Sequence, residues 1–164
     1  MVKDVMRNVA AFVDGRNYAG QCNQVTLPEL NIQTEEMRAG GMDAPIEMDM
    51  GMEAMRASLQ FMTVPAEALK LLGQRDVPLT LRGALTSYDG TVKGATAELR
   101  GRFVGNNPGD WQAGSQANFT ATFAAHYYKL TIEGEEIYEI DIERMVRRIN
   151  GEDQLADVRD RLGI

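Results

Sequence analysis

The sequence predicts a mainly β protein with a minor α component, its strands joined as antiparallel hairpins. Three observations carry that reading. Apolar and polar residues alternate with a period of two in successive runs, so one face of each run belongs in a core and the other in water. Turn signals such as Asp14-Gly15, Tyr88-Asp89-Gly90 and Glu133-Gly134-Glu135 separate the runs. Helical patterning is confined to short stretches that need a sheet to pack on. With 164 residues the chain suffices for one domain with a real core, so residues 1–164 are expected to form a single unit.

Taken in order, residues 9–13 form a short apolar strand running into Asp14-Gly15. Residues 25–30 follow, with Val25 and Leu27 on one face; Pro28 has no amide hydrogen to donate and belongs at an edge or bulge. Residues 33–56 break the rhythm. Gly40-Gly41 permits a sharp reversal or mobile tip, and past Pro45 the period becomes two again. Ile46, Met48, Met50 and Met52 then share one side of an extended strand, with Glu47, Asp49, Gly51 and Glu53 on the other. A long glycine-tipped excursion with a flexible apolar stripe suits contact with another molecule. The same methionines would suit a thioether site for Cu(I), but no cluster of His or Cys accompanies them.

Beyond it, Ala57, Leu59 and Phe61 alternate with Ser58, Gln60 and Met62 as another strand. Residues 64–73 read as a helix, with Pro65 in the first turn, Glu67 at the positive end and Gly73 past the last turn, packing Leu69 and Leu72 on a sheet. Leu79, Leu81 and Leu85 oppose Thr80, Arg82 and Thr86. After a turn at residues 88–90, Ala97, Leu99 and Phe103 oppose Thr96, Glu98, Arg100 and Arg102, giving a hairpin with one dry and one charged face. Residues 105–114 are turn-rich, with Trp111 expected as a packing pin. Residues 119–132 and 137–142 make the last hairpin. Asp141 is expected to cap a short helix ending at Asn150-Gly151, and a second helix after Asp153 places Leu155, Val158 and Leu162 on one side, with Arg159 and Arg161 toward its negative end.

Composition narrows the function. A net charge of −7 leaves no excess of Lys and Arg to neutralise phosphates, which argues against a protein that holds nucleic acid. Cys22 is alone, so no internal disulfide forms, and burial as a small apolar residue suits it better than nucleophilic chemistry. The N-terminal residues lack the apolar run of a signal peptide, and no window reaches the length of a membrane span. His126 is the single histidine, in a strand-like run, where packing or exposure suits it better than catalysis. No nucleophile elbow, phosphate loop or dinucleotide fingerprint occurs. Glu35-Glu36 and Glu135-Glu136 are adjacent acids, which a strand points to opposite faces, so neither is an acid/base dyad. No enzymatic activity and no cofactor are expected.

Several ordered blocks resemble the tube proteins of contractile tails, found in myophages and in R-type pyocins and similar headless particles. Thr26-Leu27-Pro28-Glu29-Leu30 is similar to the family's T-L-P-x-L, and residues 36–45 (E-M-R-A-G-G-M-D-A-P) to its E-x-x-R-A-G-G-M-D-A-P block, followed by Asp49-x-Gly51-Met52-Glu53. Leu99-Arg100-Gly101, Pro108-Gly109-Asp110-Trp111, Tyr128-Lys129-Leu130, Ile140-Asp141, residues 149–155 and Leu162-Gly163-Ile164 continue the order across almost the whole chain. Met37 departs from it, standing where the family's pattern favours an aromatic residue.

The resemblance implies an antiparallel β-sandwich or barrel with one short mid-chain helix and a short C-terminal helix, assembling into hexameric rings. The rings stack into a hollow tube inside a contractile sheath, and hairpins of all six subunits close one barrel around the channel. Residues 33–53 become an extended arm reaching an adjacent ring. Inter-ring contacts then fall to Arg38, Ala39, Gly40, Gly41, Met42, Asp43, Ala44, Pro45, Met48, Met50 and Met52. Thr80, Arg82, Thr86, Thr96, Glu98, Arg100 and Arg102 become candidates for lining the channel, which the acidic balance of the chain leads us to expect polar and not basic. The implied partners are further copies of the chain, the sheath, tape measure, baseplate and tail terminator proteins, with DNA only in transit, and only if the particle is a phage, and no stable membrane association. The implied location is a virion tail or tail-like particle, assembled in the bacterial cytoplasm. The rival readings are a small soluble binding module with a methionine-rich metal or partner-binding strand, and an enzyme with a site assembled from distant carboxylates.

Overall fold

A computed structural model describes residues 1–164. Its strands are β1 (Val5–Val13), β2 (Arg16–Asn17), β3 (Cys22–Thr26), β4 (Ile32–Met37), β5 (Ile46–Met52), β6 (Met55–Phe61), β7 (Val77–Thr86), β8 (Val92–Asn107), β9 (Phe119–Ile132), β10 (Glu135–Asp141), β11 (Val146–Ile149) and β12 (Glu152–Asp153). Two short helices, α1 (Ala66–Leu69) and α2 (Ala156–Leu162), complete it. The chain is thus mainly β, and every pairing between these strands is antiparallel. No helix is long and apolar enough to cross a membrane.

Ten strands form one sheet in the order β12-β11-β10-β9-β8-β7-β1-β2, with β6 added to β9 and β3 to β6. β9 divides it. Residues 119–125 pair with β6 and residues 127–132 with β10, while β8 follows the other edge throughout. At the changeover the register skips His126, so Arg100 faces Tyr127 and Gly101 faces Ala125. Such a bulge bends a strand and sharpens its twist. The bend lets the sheet curl until β3 lies against β1.

The period-two patterning sets what the curl encloses. Val13, Leu79, Leu99, Tyr128 and Ile140 stand in register across five strands, and all are buried. One residue along, the row is Phe12, Thr80, Glu98, Lys129, Glu139 and Arg148, and it faces the other way. On the β6 side, Phe103 and Phe123 meet edge-on at 5.1 Å, and Phe61 lies 5.7 Å from Phe119. Cys22 is buried, as expected of a small apolar residue.

Three local expectations need correction. No helix spans residues 142–150: Asp141 accepts the Arg144 amide as a turn, Met145 has φ +55°, and residues 146–149 pair with β10 as β11. Asn150 and Gly151 turn the chain into β12 with φ +55° and +80°, so a signal read as a helix end closes a hairpin. The mid-chain helix is only Ala66–Leu69, because Leu71 and Leu72 already bond to carbonyls three residues back and Gly73 donates to Phe103. Leu69 packs on the core, whereas Leu72 is exposed. Trp111 pins nothing in the subunit and is 72% exposed.

Candidate functional site

The residues 33–53 singled out by sequence form a structure apart. β4 and β5 pair only with each other, as a second, two-stranded sheet, closed at the root by the Glu53 amide on Asn31 O at 2.9 Å. No residue of this arm is buried, and all of β4 is exposed. A two-stranded ribbon in water is marginal at best, so one that exposes both faces calls for a cover.

The register assigns chemistry to its faces. Met37 opposes Ile46 and Glu35 opposes Met48, which places these four side chains on one face. Met37, Ile46, Met48 and Met50 are each about half exposed or more, so the stripe predicted by alternation is open to solvent. The other face sets Glu36 directly against Glu47 and Thr34 against Asp49. Facing like charges weaken a ribbon. At the tip, Arg38, Ala39, Gly40, Gly41, Asp43, Ala44 and Pro45 are exposed and Met42 is half-buried. Gly41 has φ +87°, and Arg38 Nε donates to Met42 O at 3.2 Å, closing the tip as a compact turn. Met52 is half-buried at the root.

One ion pair ties this ribbon to the body. Arg147 on β11 donates through both terminal nitrogens to Asp49 on β5, and that guanidinium holds the Asp49 carboxyl below the usual carboxylate range. Sequence reading missed Arg147, because nothing in the pattern of residues 146–149 tells which arginine turns inward.

The second predicted set lies together too. Thr80, Arg82, Thr96, Glu98, Arg100 and Arg102 occupy the polar face of β7 and β8, and Thr86 ends β7 opposite Val92. Arg82 lies 5.2 Å from the Phe12 ring centre and Arg100 4.4 Å from that of Tyr127. Burial and a hydrogen bond to Glu139 push the Tyr127 hydroxyl up to about 12. Arg82, Arg100 and Arg102 pair with no acid inside the subunit. On these two strands they stand against Glu98 alone.

A curled antiparallel sheet carrying an uncovered two-stranded ribbon points to a structural class of protein. The family model described as "Phage tail tube protein FII" matches residues 3–163, and the chain belongs to that family. It is 28% identical over 160 residues to the tail tube protein of Escherichia phage P2, covering 93% of each chain. It is 30% identical over 155 residues to the major tail tube protein of Serratia phage KSP20, covering 93% of this chain and 91% of that one. Among solved structures, a chain of the sheath-tube complex of an extracellular contractile injection system, in its extended state, superposes with a TM-score of 0.58. That match is 18% identical and covers 76% of this chain and 88% of the other, a likeness of fold. The protein is a structural component of a phage-type tail tube.

Proposed function

We propose that the chain forms homohexameric rings that stack into the hollow inner tube of a contractile tail, with residues 33–53 as the ring-stacking arm. The observation that carries this is the ribbon itself: an apolar stripe of Met37, Ile46, Met48 and Met50 on a two-stranded sheet with nothing of its own chain covering it. Ring symmetry repeats each contact around the axis, so a modest contact per arm becomes a strong joint. The tip residues Arg38, Ala39, Gly40, Gly41, Met42, Asp43, Ala44 and Pro45, with Met48, Met50 and Met52, make the inter-ring contact.

In the same reading, Thr80, Arg82, Thr86, Thr96, Glu98, Arg100 and Arg102 line the channel. Pairing of β7–β8 hairpins between subunits closes a continuous barrel and removes exposed strand edges. The tube works by rigidity and surface chemistry and has no catalytic role. Its partners are the sheath and tube terminator, kinds of protein named with the matching injection-system chains, together with the tape measure and baseplate. It assembles in the bacterial cytoplasm; in a phage DNA meets it only in passage, and in a headless particle the tube punctures an envelope. Negative-stain electron microscopy of the purified protein tests the reading: rings or tubes are expected, and compact monomers or dimers over all assembly conditions would overturn it.

A further inference from the structure

We infer that Arg147 positions the arm, and that through it the C-terminal helix α2 and the arm form one hydrogen-bonded unit. The inference deepens the stacking role of the arm and takes its importance from that reading. The Arg147 side chain is 7% exposed. A guanidinium stays charged at any pH the protein meets, and a buried one requires a counter-charge. Asp49 is the single carboxylate it pairs with: Nη1 donates to Oδ1 at 3.4 Å and Nη2 donates to Oδ2. Arg147 Nε is buried without a partner, so no other side chain shares the compensation.

This pair is also the arm's sole polar attachment. Every other hydrogen bond of residues 32–52 stays within the arm or its root. Asp49 is itself prearranged, because its Oδ1 accepts the Gly51 amide at 2.9 Å where Gly51 takes φ +108°. The buried charge therefore fixes the middle of β5, and with it the direction in which the ribbon leaves the body.

The other side of β11 is anchored to α2. Asp153 accepts the amides of Arg147 at 3.4 Å and Leu155 at 3.0 Å, and it pairs with Arg159 Nη2 at 2.6 Å. Arg159 Nη1 donates to Met145 O at 2.7 Å. The bonds run without a gap from Arg159 on α2 through Asp153 and β11 to Arg147, Asp49 and the arm. Beneath them a cavity of about 210 Å³, lined among others by Met52, Met55, Ile142, Met145 and Leu155, leaves room for the root of β5 to shift once the pair is broken. Val158 and Leu162 on α2 are exposed, so a partner bound to α2 would act on the arm through this chain of bonds.

Amide hydrogen exchange on the unassembled full-length subunit tests the inference. In Asp49→Asn, amides of β4 and β5 are expected to exchange about tenfold faster, with β7–β9 protection unchanged. The double variant Asp49→Asn/Arg147→Met should exchange no faster than Arg147→Met, since each residue acts through the other. Arg159→Met should speed the same arm amides about threefold. The inference is overturned by unchanged arm exchange, by effects that simply add, or by an equal loss of protection in β7–β9. Arm amides unprotected in the wild type would overturn it too, since nothing would then be positioned. If Arg147→Met does not fold, Asp49→Asn alone decides. Should the wild type form no tubes, the stacking reading falls while these exchange rates still decide the positioning role.

Discussion

Single residues decide where this sheet bends. Gly101 stands at the bulge opposite Ala125, and a Cβ added there would lie 1.9 Å from Ala124 O. Main chain cannot retreat from that contact while β8 and β9 stay paired. Gly101→Ala is expected to cost about 3 kcal/mol or more and to lower the melting temperature by roughly 10 °C, as read by chemical and thermal denaturation. Asp49 and Asp153 carry a pH signature. Partner arginines and amides hold both carboxyls below the usual value of about 3.9, so their contribution is complete above that value and fades as pH falls through the lowered one. The arm root is therefore expected to hold at neutral pH and to loosen below about pH 4. Sensitivity of the β4 and β5 amides to hydrogen exchange, referenced to intrinsic rates at each pH and followed alongside far-ultraviolet circular dichroism, checks this. An arm no more sensitive at pH 3 than at pH 5 would contradict it.

At the scale of elements, the arm and the rest of the chain divide the work. Burying one methionine is worth roughly 1.5–3 kcal/mol before ordering costs, and Met48 is 48% exposed in the subunit, so that gain awaits a partner. Met48→Glu is expected to fold and melt like the wild type but to make no long tubes, compared by sedimentation and electron microscopy. Normal tubes would refute the stacking role, and a variant unable to fold would place the stripe in a core. Leu72 just past α1 and Trp111 in the turn-rich segment depart from their sequence signals. Leu72 and Trp111 are exposed, so Leu72→Ser and Trp111→Ser should each change subunit stability by no more than about 0.5 kcal/mol in denaturant titrations.

At the scale of the whole molecule, the proposed channel takes its character from the charge of the face that lines it. The chain carries −7, yet the β7–β8 face sets Arg82, Arg100 and Arg102 against Glu98. A channel lined by that face is non-basic only where acids of neighbouring subunits reach the arginines. Tubes with such pairing are expected not to retain double-stranded DNA at about 0.15 M salt. Retention that weakens steeply with added salt would show unpaired arginines in the lumen and end the expectation of a non-basic channel.

Alternation in the sequence determined the strands that bury one face: the runs through Leu79 and Leu99 and the split between Thr80–Arg82 and Leu79–Leu81 follow from a period of two, while β-branched and aromatic content marked residues 119–132. The ordered motif blocks determined the family, and the glycine-tipped stretch announced an arm. Tertiary structure decided the rest. Residues 142–150 carry local signals that fit a helix end and a hairpin turn equally, and pairing with β10 chose the hairpin. Leu72 and Trp111 are apolar enough for a core, but whether a surface exists to receive them depends on where α1 stops and how the sheet curls. Arg147 and Arg148 are neighbours of one chemistry. A strand sends them to opposite faces, and only the docked arm, bringing Asp49 from far along the chain, supplies the charge that lets Arg147 be the buried one.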